Sequence, residues 1–194
     1  MYETYIKRLV RRGNAVITYD FNGEMLKPDV IQTLASFRQV QREVARELNT
    51  LVKVHDYTEV TLFAPSLGNV ALALIAEQFR DFNKAVMVVA GSDLAKSTWE
   101  GIRTQAIRES FEAQGYDEQQ LVTLWRSLAP ASHAAAFSGK DVEFILSMTD
   151  EIIPTVYQQE YADALRQAGA RVHVVSTRLG HYAAVARACL TGRH

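Results

Sequence analysis

Five short apolar runs, rich in valine and isoleucine, are spaced along this chain with helical patterns between them. They occupy residues 15–19, 60–63, 85–90, 142–147 and 171–176. Most are continuous rather than alternating in polarity, the pattern of parallel strands buried on both faces. After the first run, Leu34, Phe37, Val40, Val44, Leu48 and Leu51 recur at three- and four-residue steps, which predicts an amphipathic helix over 30–54. Pro28 and Asp29 suit its start. The stretch 67–79 repeats the pattern with Val70, Ala71, Leu74 and Ile75. Tyr157, Tyr161 and Leu165 do the same ahead of Gly169, a C-terminal stop signal. Strands alternating with helices in this way build right-handed crossovers and an α/β fold, a mostly parallel sheet flanked by helices.

With 194 residues, 48% hydrophobic and 22% charged, the chain can bury a real core, and the reading is one domain over 1–194. A net charge of −1 gives no electrostatic case for a nucleic-acid partner. Cys189 is the only cysteine, which excludes an intrachain disulfide and a cysteine-based metal site. The histidines His55, His133, His173, His181 and His194 show no metal-ligand spacing, and no cofactor is implied. No apolar run approaches membrane-spanning length and the start has no signal-peptide core, so the expectation is a cytoplasmic protein with no membrane partner. Lys7, Arg8, Arg11 and Arg12 interleave with Tyr5, Ile6, Leu9 and Val10 at helical spacing, the pattern of a solvated helix face.

One connection is too long for a simple crossover. Residues 92–139 carry helical patterns near 95–114 and 117–128, with Trp99, Phe111, Tyr116 and Trp125. The segment reads either as extra core packing or as a small helical cap. A cap at this place stands above the carboxyl ends of the strands, where open α/β sheets bind ligands, and Trp99 and Trp125 are then its candidate pocket residues.

The chemistry-bearing residues lie at the carboxyl ends of the predicted strands. Thr61-Leu62-Phe63-Ala64-Pro65-Ser66-Leu67-Gly68-Asn69 runs from strand through a tight turn into helix, with Ser66 at the apex. Such an elbow needs small residues two before and two after the serine, here Ala64 and Gly68. The alternative for Ser66 alone is a helix cap. Asp150 follows the run 142–147 and can orient a histidine, with Glu151 as the rival acid. His181 follows the last run after Leu179-Gly180 and can carry a proton between serine and leaving group. His173, inside a strand run, reads as packed or edge-exposed. Serine, acid, histidine, each after a strand, is the chain order of an α/β-hydrolase triad.

From residue 13 to its end the chain resembles the α/β-hydrolase superfamily. The run ending at Asp20 resembles the family's fourth strand, Ala64-Pro65-Ser66-Leu67-Gly68 its elbow, Asp150-Glu151-Ile152-Ile153-Pro154 its acid loop and Leu179-Gly180-His181 its histidine loop. The resemblance implies a serine hydrolase acting on an ester, thioester, amide or related small-molecule acyl compound. Ser66 is then the nucleophile, His181 the base, Asp150 the orienting acid and the Leu67 amide an oxyanion donor. The helical insertion and the alanine at position 64 resemble bacterial thioesterase and acyltransferase members of that superfamily.

One departure from the family pattern bears on activity. The family's early strands, and the loop that supplies a second oxyanion amide, precede a helix that 1–12 already resembles. Three outcomes are open: weakened catalysis, a donor from elsewhere such as the Phe21-Asn22-Gly23 turn, or a reading frame that is part of a longer hydrolase. For the sheet the expectation is direct pairing of the runs 15–19 and 60–63, within a homodimer. Two rival functions stand beside the hydrolase: a non-catalytic binding or scaffold member, and a nucleotide-binding doubly wound domain, although no glycine-rich phosphate motif is present.

Overall fold

A computed structural model describes residues 2–21 and 25–191. Among the described residues, four strands form one sheet: β1 (Thr61–Pro65), β2 (Lys84–Val88), β3 (Asp141–Ser147) and β4 (Arg171–Thr177). Their spatial order follows the sequence, β1-β2-β3-β4, and every pairing is parallel. The register aligns Thr61 with Lys84, Lys84 with Asp141, and Asp141 with Arg171. All four strands therefore end on the same side, and Ser66, Asp150 and His181 lie beyond those ends.

Among the described residues, eight α-helices surround the sheet. They are α1 (Tyr2–Arg11), α2 (Val30–Val54), α3 (Gly68–Gln78), α4 (Leu94–Glu100), α5 (Gln105–Ala113), α6 (Glu118–Leu124), α7 (Thr155–Gln167) and α8 (His181–Thr191). The helix α2 matches its apolar period: Val30, Phe37, Val44 and Ala45 are buried, and Asp29 caps its start by accepting the Gln32 N–H at 2.7 Å. The larger core layer joins α2, α3 and α7 to inward residues such as Met87, Val142 and Phe144. The opposite face is thinner. There Val86, Val88, Val89 and Ile145 pack under Ala184, Val185 and Ala188 of α8. The helix α1 lies against α8 on this side, with the Tyr5 ring 5.1 Å from that of Phe63. Its basic residues are held locally: Lys7 pairs with Glu3 at 2.7 Å, and Arg8 donates to the Cys189 carbonyl at 2.8 Å.

The first apolar run departs from expectation. Residues 15–19 form no strand and do not pair with β1, whose outer edge carries no ladder partner among the described residues. A strand exists only through a neighbour's hydrogen bonds, and an apolar run without one stays irregular. Ala15, Ile17 and Thr18 are exposed, while Tyr19 leans on the core with its phenol against Glu47. Burial and, to a lesser degree, that contact push the Tyr19 hydroxyl up to about 12.

The segment 92–139 is more broken than its period suggests. The helix α4 stops at Gly101, where a Cβ would come within 2.4 Å of the Ile152 carbonyl oxygen, so only glycine fits this close approach. Short 3-10 turns follow at Ile102–Thr104, Arg126–Leu128 and Pro130–Phe137. Phe111, Leu121, Trp125 and Leu128 join the larger core, and Pro130–Phe137 packs on α3 and α7. Much of the segment is thus core, while α4 faces the ends of the strands. No helix among the described residues is long and apolar enough to cross a membrane.

Candidate active site

Ser66 sits between β1 and α3 with φ of 50°, a left-handed conformation. Such a backbone costs an L-residue about 1–2 kcal/mol. Hydrogen bonds hold it there. The Ser66 N–H donates to the Val88 carbonyl at 2.8 Å, and its own carbonyl accepts the Asn69 backbone N–H at 2.9 Å and the Asn69 side-chain amide at 3.1 Å. A Cβ on Gly68 would lie 3.6 Å from that of Ala64, so a small pair at these positions lets the turn close. Leu67 follows at the N-cap of α3 and lines a cavity together with Asn69 and Val70, whose backbone N–H groups donate to the Ser66 and Leu67 carbonyls at 2.9 Å and 3.1 Å.

His181 begins α8. Its Nε2 lies 2.8 Å from Ser66 Oγ, and its Nδ1 lies 2.8 Å and 3.0 Å from the two carboxylate oxygens of Asp150. A carboxylate only accepts, so Nδ1 carries the proton and Nε2 of the neutral ring is left to accept from the serine hydroxyl. The side chains are 3% exposed at His181 and 0% at Asp150, so this relay is shielded from water except where the cavity opens on Ser66.

Asp150 is held from every side. Its Oδ1 accepts the Ile152 and Ile153 N–H groups at 2.8 Å and 2.9 Å, and its Oδ2 accepts Gln158 Nε2 at 3.2 Å. Gln158, fully buried on α7, also donates to the Ile153 carbonyl at 2.8 Å and accepts the Ser147 N–H at 3.0 Å. It stitches the end of β3 to the acid loop. Glu151, the rival acid, does not meet the imidazole ring. It accepts the His181 backbone N–H at 3.2 Å and faces Arg103 at 3.6 Å, joining the histidine loop to the turn after α4.

The cavity beside Ser66 has a volume of about 210 Å³. Leu26, Leu67, Val70, Leu94 and Ile153 supply much of its wall. Tyr157 of α7 donates to Glu100 and so fixes the end of α4, the cavity's outer wall; burial and that carboxylate push its phenol far up. Trp99 and Trp125 are not part of the lining. Trp125 is buried edge-on against Phe111 and donates its indole N–H to the Val30 carbonyl at 2.9 Å, a core role that removes it from any pocket. Trp99 is half-buried, its carbonyl accepting Arg108 at 2.9 Å.

Of the other histidines, His173 is exposed on β4, and buried His133 meets Glu77 at 2.7 Å. Asn22, Gly23 and His194 lie outside the described residues; Phe21 stacks on Tyr19 with centroids 6.5 Å apart. No group of three metal-ligating side chains occurs among the described residues. Gln158, Asn69 and Ser97, all buried beside Ser66, Asp150 or the cavity, have no role assigned by the sequence alone. The signal for Gln158 was a polar amide on the apolar stripe of Tyr157, Tyr161 and Leu165.

No protein-family model and no curated protein matches the chain. Solved structures do. An acylaminoacyl peptidase of Pyrococcus horikoshii superposes with a TM-score of 0.63 at 15% identity, over 84% of this chain and 26% of that one. An acetyl xylan esterase from Paenibacillus sp. R4 gives 0.65 at 14%, over 91% and 60%. Acetyl xylan esterase 1 from Thermoanaerobacterium sp. JW/SL YS485 gives 0.62 at 16%, over 93% and 61%. The chain therefore spans about a quarter of the peptidase and about three fifths of each esterase. At these identities the likeness is one of fold, and the fold is that of the α/β-hydrolases.

Proposed function

We propose that this chain is a serine hydrolase acting on an ester, thioester or related acyl substrate through Ser66, His181 and Asp150. One observation carries the reading: an unbroken relay from Ser66 Oγ through the imidazole to a fully buried carboxylate, at 2.8 Å for each link, with the serine end at an apolar cavity. A helix cap would not need the histidine, and a structural histidine would not need the serine.

In this reading Ser66 Oγ attacks the acyl carbon as its proton passes to His181 Nε2. The carboxylate of Asp150 stabilises the imidazolium. The oxyanion of the tetrahedral intermediate meets the Leu67 amide at the positive end of α3. The intermediate collapses, the leaving group takes the proton from Nε2, and the acyl group stays on Ser66. Water then repeats the sequence, with His181 as base, and releases the acid and the free serine. Each oxyanion donor in such a site contributes about 100- to 1000-fold to turnover.

Hydrolysis of short p-nitrophenyl esters tests this. Ser66→Ala should abolish the enzyme-dependent rate, and His181→Ala should cost nearly as much, because members of such a relay act as a unit. His173→Ala should leave it unchanged. Equal rates for Ser66→Ala and the parent would remove the serine mechanism and leave a binding or scaffold role.

A further inference from the structure

The loops after β3 and β4 run side by side, and alternate residues of the first hold the backbone of the second. Ser147 Oγ donates to the Leu179 carbonyl at 2.6 Å, and Thr149 Oγ1 donates to the Arg178 carbonyl at 2.9 Å. The next residue in that alternation is Glu151, the acid that the relay leaves unused. Its Oε2 accepts the His181 backbone N–H at 3.2 Å.

That N–H is the first of α8, and the first amides of a helix have no partner inside it. Side chains that satisfy such amides normally come from the start of the helix itself. Gly180 stands at that start, where its carbonyl accepts the Ala184 N–H at 2.9 Å, and it has no side chain to offer. The partner comes instead from a carboxylate thirty residues earlier in the chain, at a helix end that favours negative charge. Gly180 also leaves that carboxylate its room, since a Cβ there would lie 3.0 Å from Glu151 Oε2. Glu151 is anchored in turn: its carbonyl accepts the Ile102 N–H at 3.1 Å, and its carboxylate faces Arg103 at 3.6 Å.

Asp150 fixes the tautomer and tilt of the imidazole, but the distance from Nε2 to Ser66 Oγ also depends on where the His181 backbone lies. A displacement of about 1 Å at a reacting group can cost about 100-fold in rate. We infer that Glu151 is a positioning residue: by accepting the His181 N–H at the start of α8, it holds the imidazole between Asp150 and Ser66. Its effect on rate rests on the reading of Ser66 as the acylated residue; its effect on the ring does not. Ala184, Val185 and Ala188 also seat the helix on the sheet, so loss of this bond weakens the relay without dismantling it. Glu151 does not line the cavity, so substrate binding is spared.

The test compares Glu151→Ala and Glu151→Gln with the parent on p-nitrophenyl butyrate. Glu151→Ala should lower kcat by about tenfold with KM little changed. Glu151→Gln keeps an acceptor for the N–H and should recover most of the loss. A second readout does not depend on turnover. In protein carrying isotope-labelled histidine, the Nδ1–H shared with Asp150 should give one slowly exchanging downfield proton signal, absent from His181→Ala. Glu151→Ala should broaden or lose that signal and Glu151→Gln should keep it, because local opening exposes the proton to exchange. A lower Tm with parental kcat and an unchanged signal in Glu151→Ala would assign Glu151 to the fold alone and overturn the inference. Equal losses in Glu151→Gln and Glu151→Ala would overturn it as well, since the hydrogen bond would then not be what matters. No hydrolysis by the parent, with the signal present there and lost in Glu151→Ala, would sink the hydrolase reading and keep the positioning role.

Discussion

Ser66 and Val89 end neighbouring parallel strands, and both turn away through a left-handed backbone, at φ of 50° and 47°. The two turns are wired alike: Ser66 donates its N–H to Val88 of the next strand, and Val89 donates to Ile145 of the strand after that, each at 2.8 Å. Their side chains do opposite work. The hydroxyl of Ser66 points out to His181. The isopropyl group of Val89 is fully buried under Ala184, Val185 and Ala188, on the helix that His181 begins. For a β-branched residue this conformation is an outlier, and it persists because the packing over-determines it. One strained turn presents the Ser66 hydroxyl. The other holds up the helix that His181 begins.

The largest effect that would sharpen this contrast concerns neither turn but the acid between them. Gln158→Leu removes a donor from Asp150 and should lower kcat by roughly ten- to a hundredfold, with KM little changed. Gln158→Glu keeps an acceptor for the Ser147 N–H and should still lose rate. A loss in Gln158→Leu alone would assign Gln158 to the fold and not to the relay.

Glycine separates the two turns next. At either position it relieves about 1–2 kcal/mol of left-handed strain and gives back about 0.4–1 kcal/mol as freedom of the unfolded chain. At position 89 it also removes a buried side chain that contributes about 1.5–3 kcal/mol. Val89→Gly should therefore lose about 1 kcal/mol net, lowering Tm by roughly 2–4 °C, whereas Ser66→Gly should hold or raise Tm while losing activity. Shifts of the same sign at both positions would break the comparison.

The smallest effect lies at the far end of the sheet. Arg171 donates to Asp141 at 2.6 Å and holds that carboxyl below the ordinary carboxylate range. A lowered native value means that the stabilisation is complete above the unfolded carboxylate's range and fades as pH falls through the native value. Both side chains are exposed, so Asp141→Asn should lower Tm slightly at neutral pH, less in high salt, and not at all in strong acid.

Much of this architecture was legible in the sequence. Most of the runs that became strands are continuous and apolar, and α2 keeps its period over its whole length. The order of Ser66, Asp150 and His181 was legible because each follows a strand that had to be parallel. What stayed hidden depends on neighbours. The run 15–19 has strand composition but no ladder partner among the described residues, and composition cannot supply one. The run 85–90 ends early, at Val88, because Val89 turns into a region its residue type does not advertise. Trp125 looked like a pocket aromatic, yet the Val30 carbonyl and Phe111 claim it for the core.

The proposed role of Ser66 is that of an activated nucleophile. A fluorophosphonate probe tests it directly, since attack by Ser66 Oγ displaces fluoride and leaves a stable phosphonyl ester, with the serine proton taken by His181. Intact-protein and peptide mass spectrometry should find one adduct per chain, on the peptide that contains Ser66, formed far more slowly in His181→Ala and not at all in Ser66→Ala. An unlabelled parent chain, or an adduct that survives in Ser66→Ala, would contradict the account.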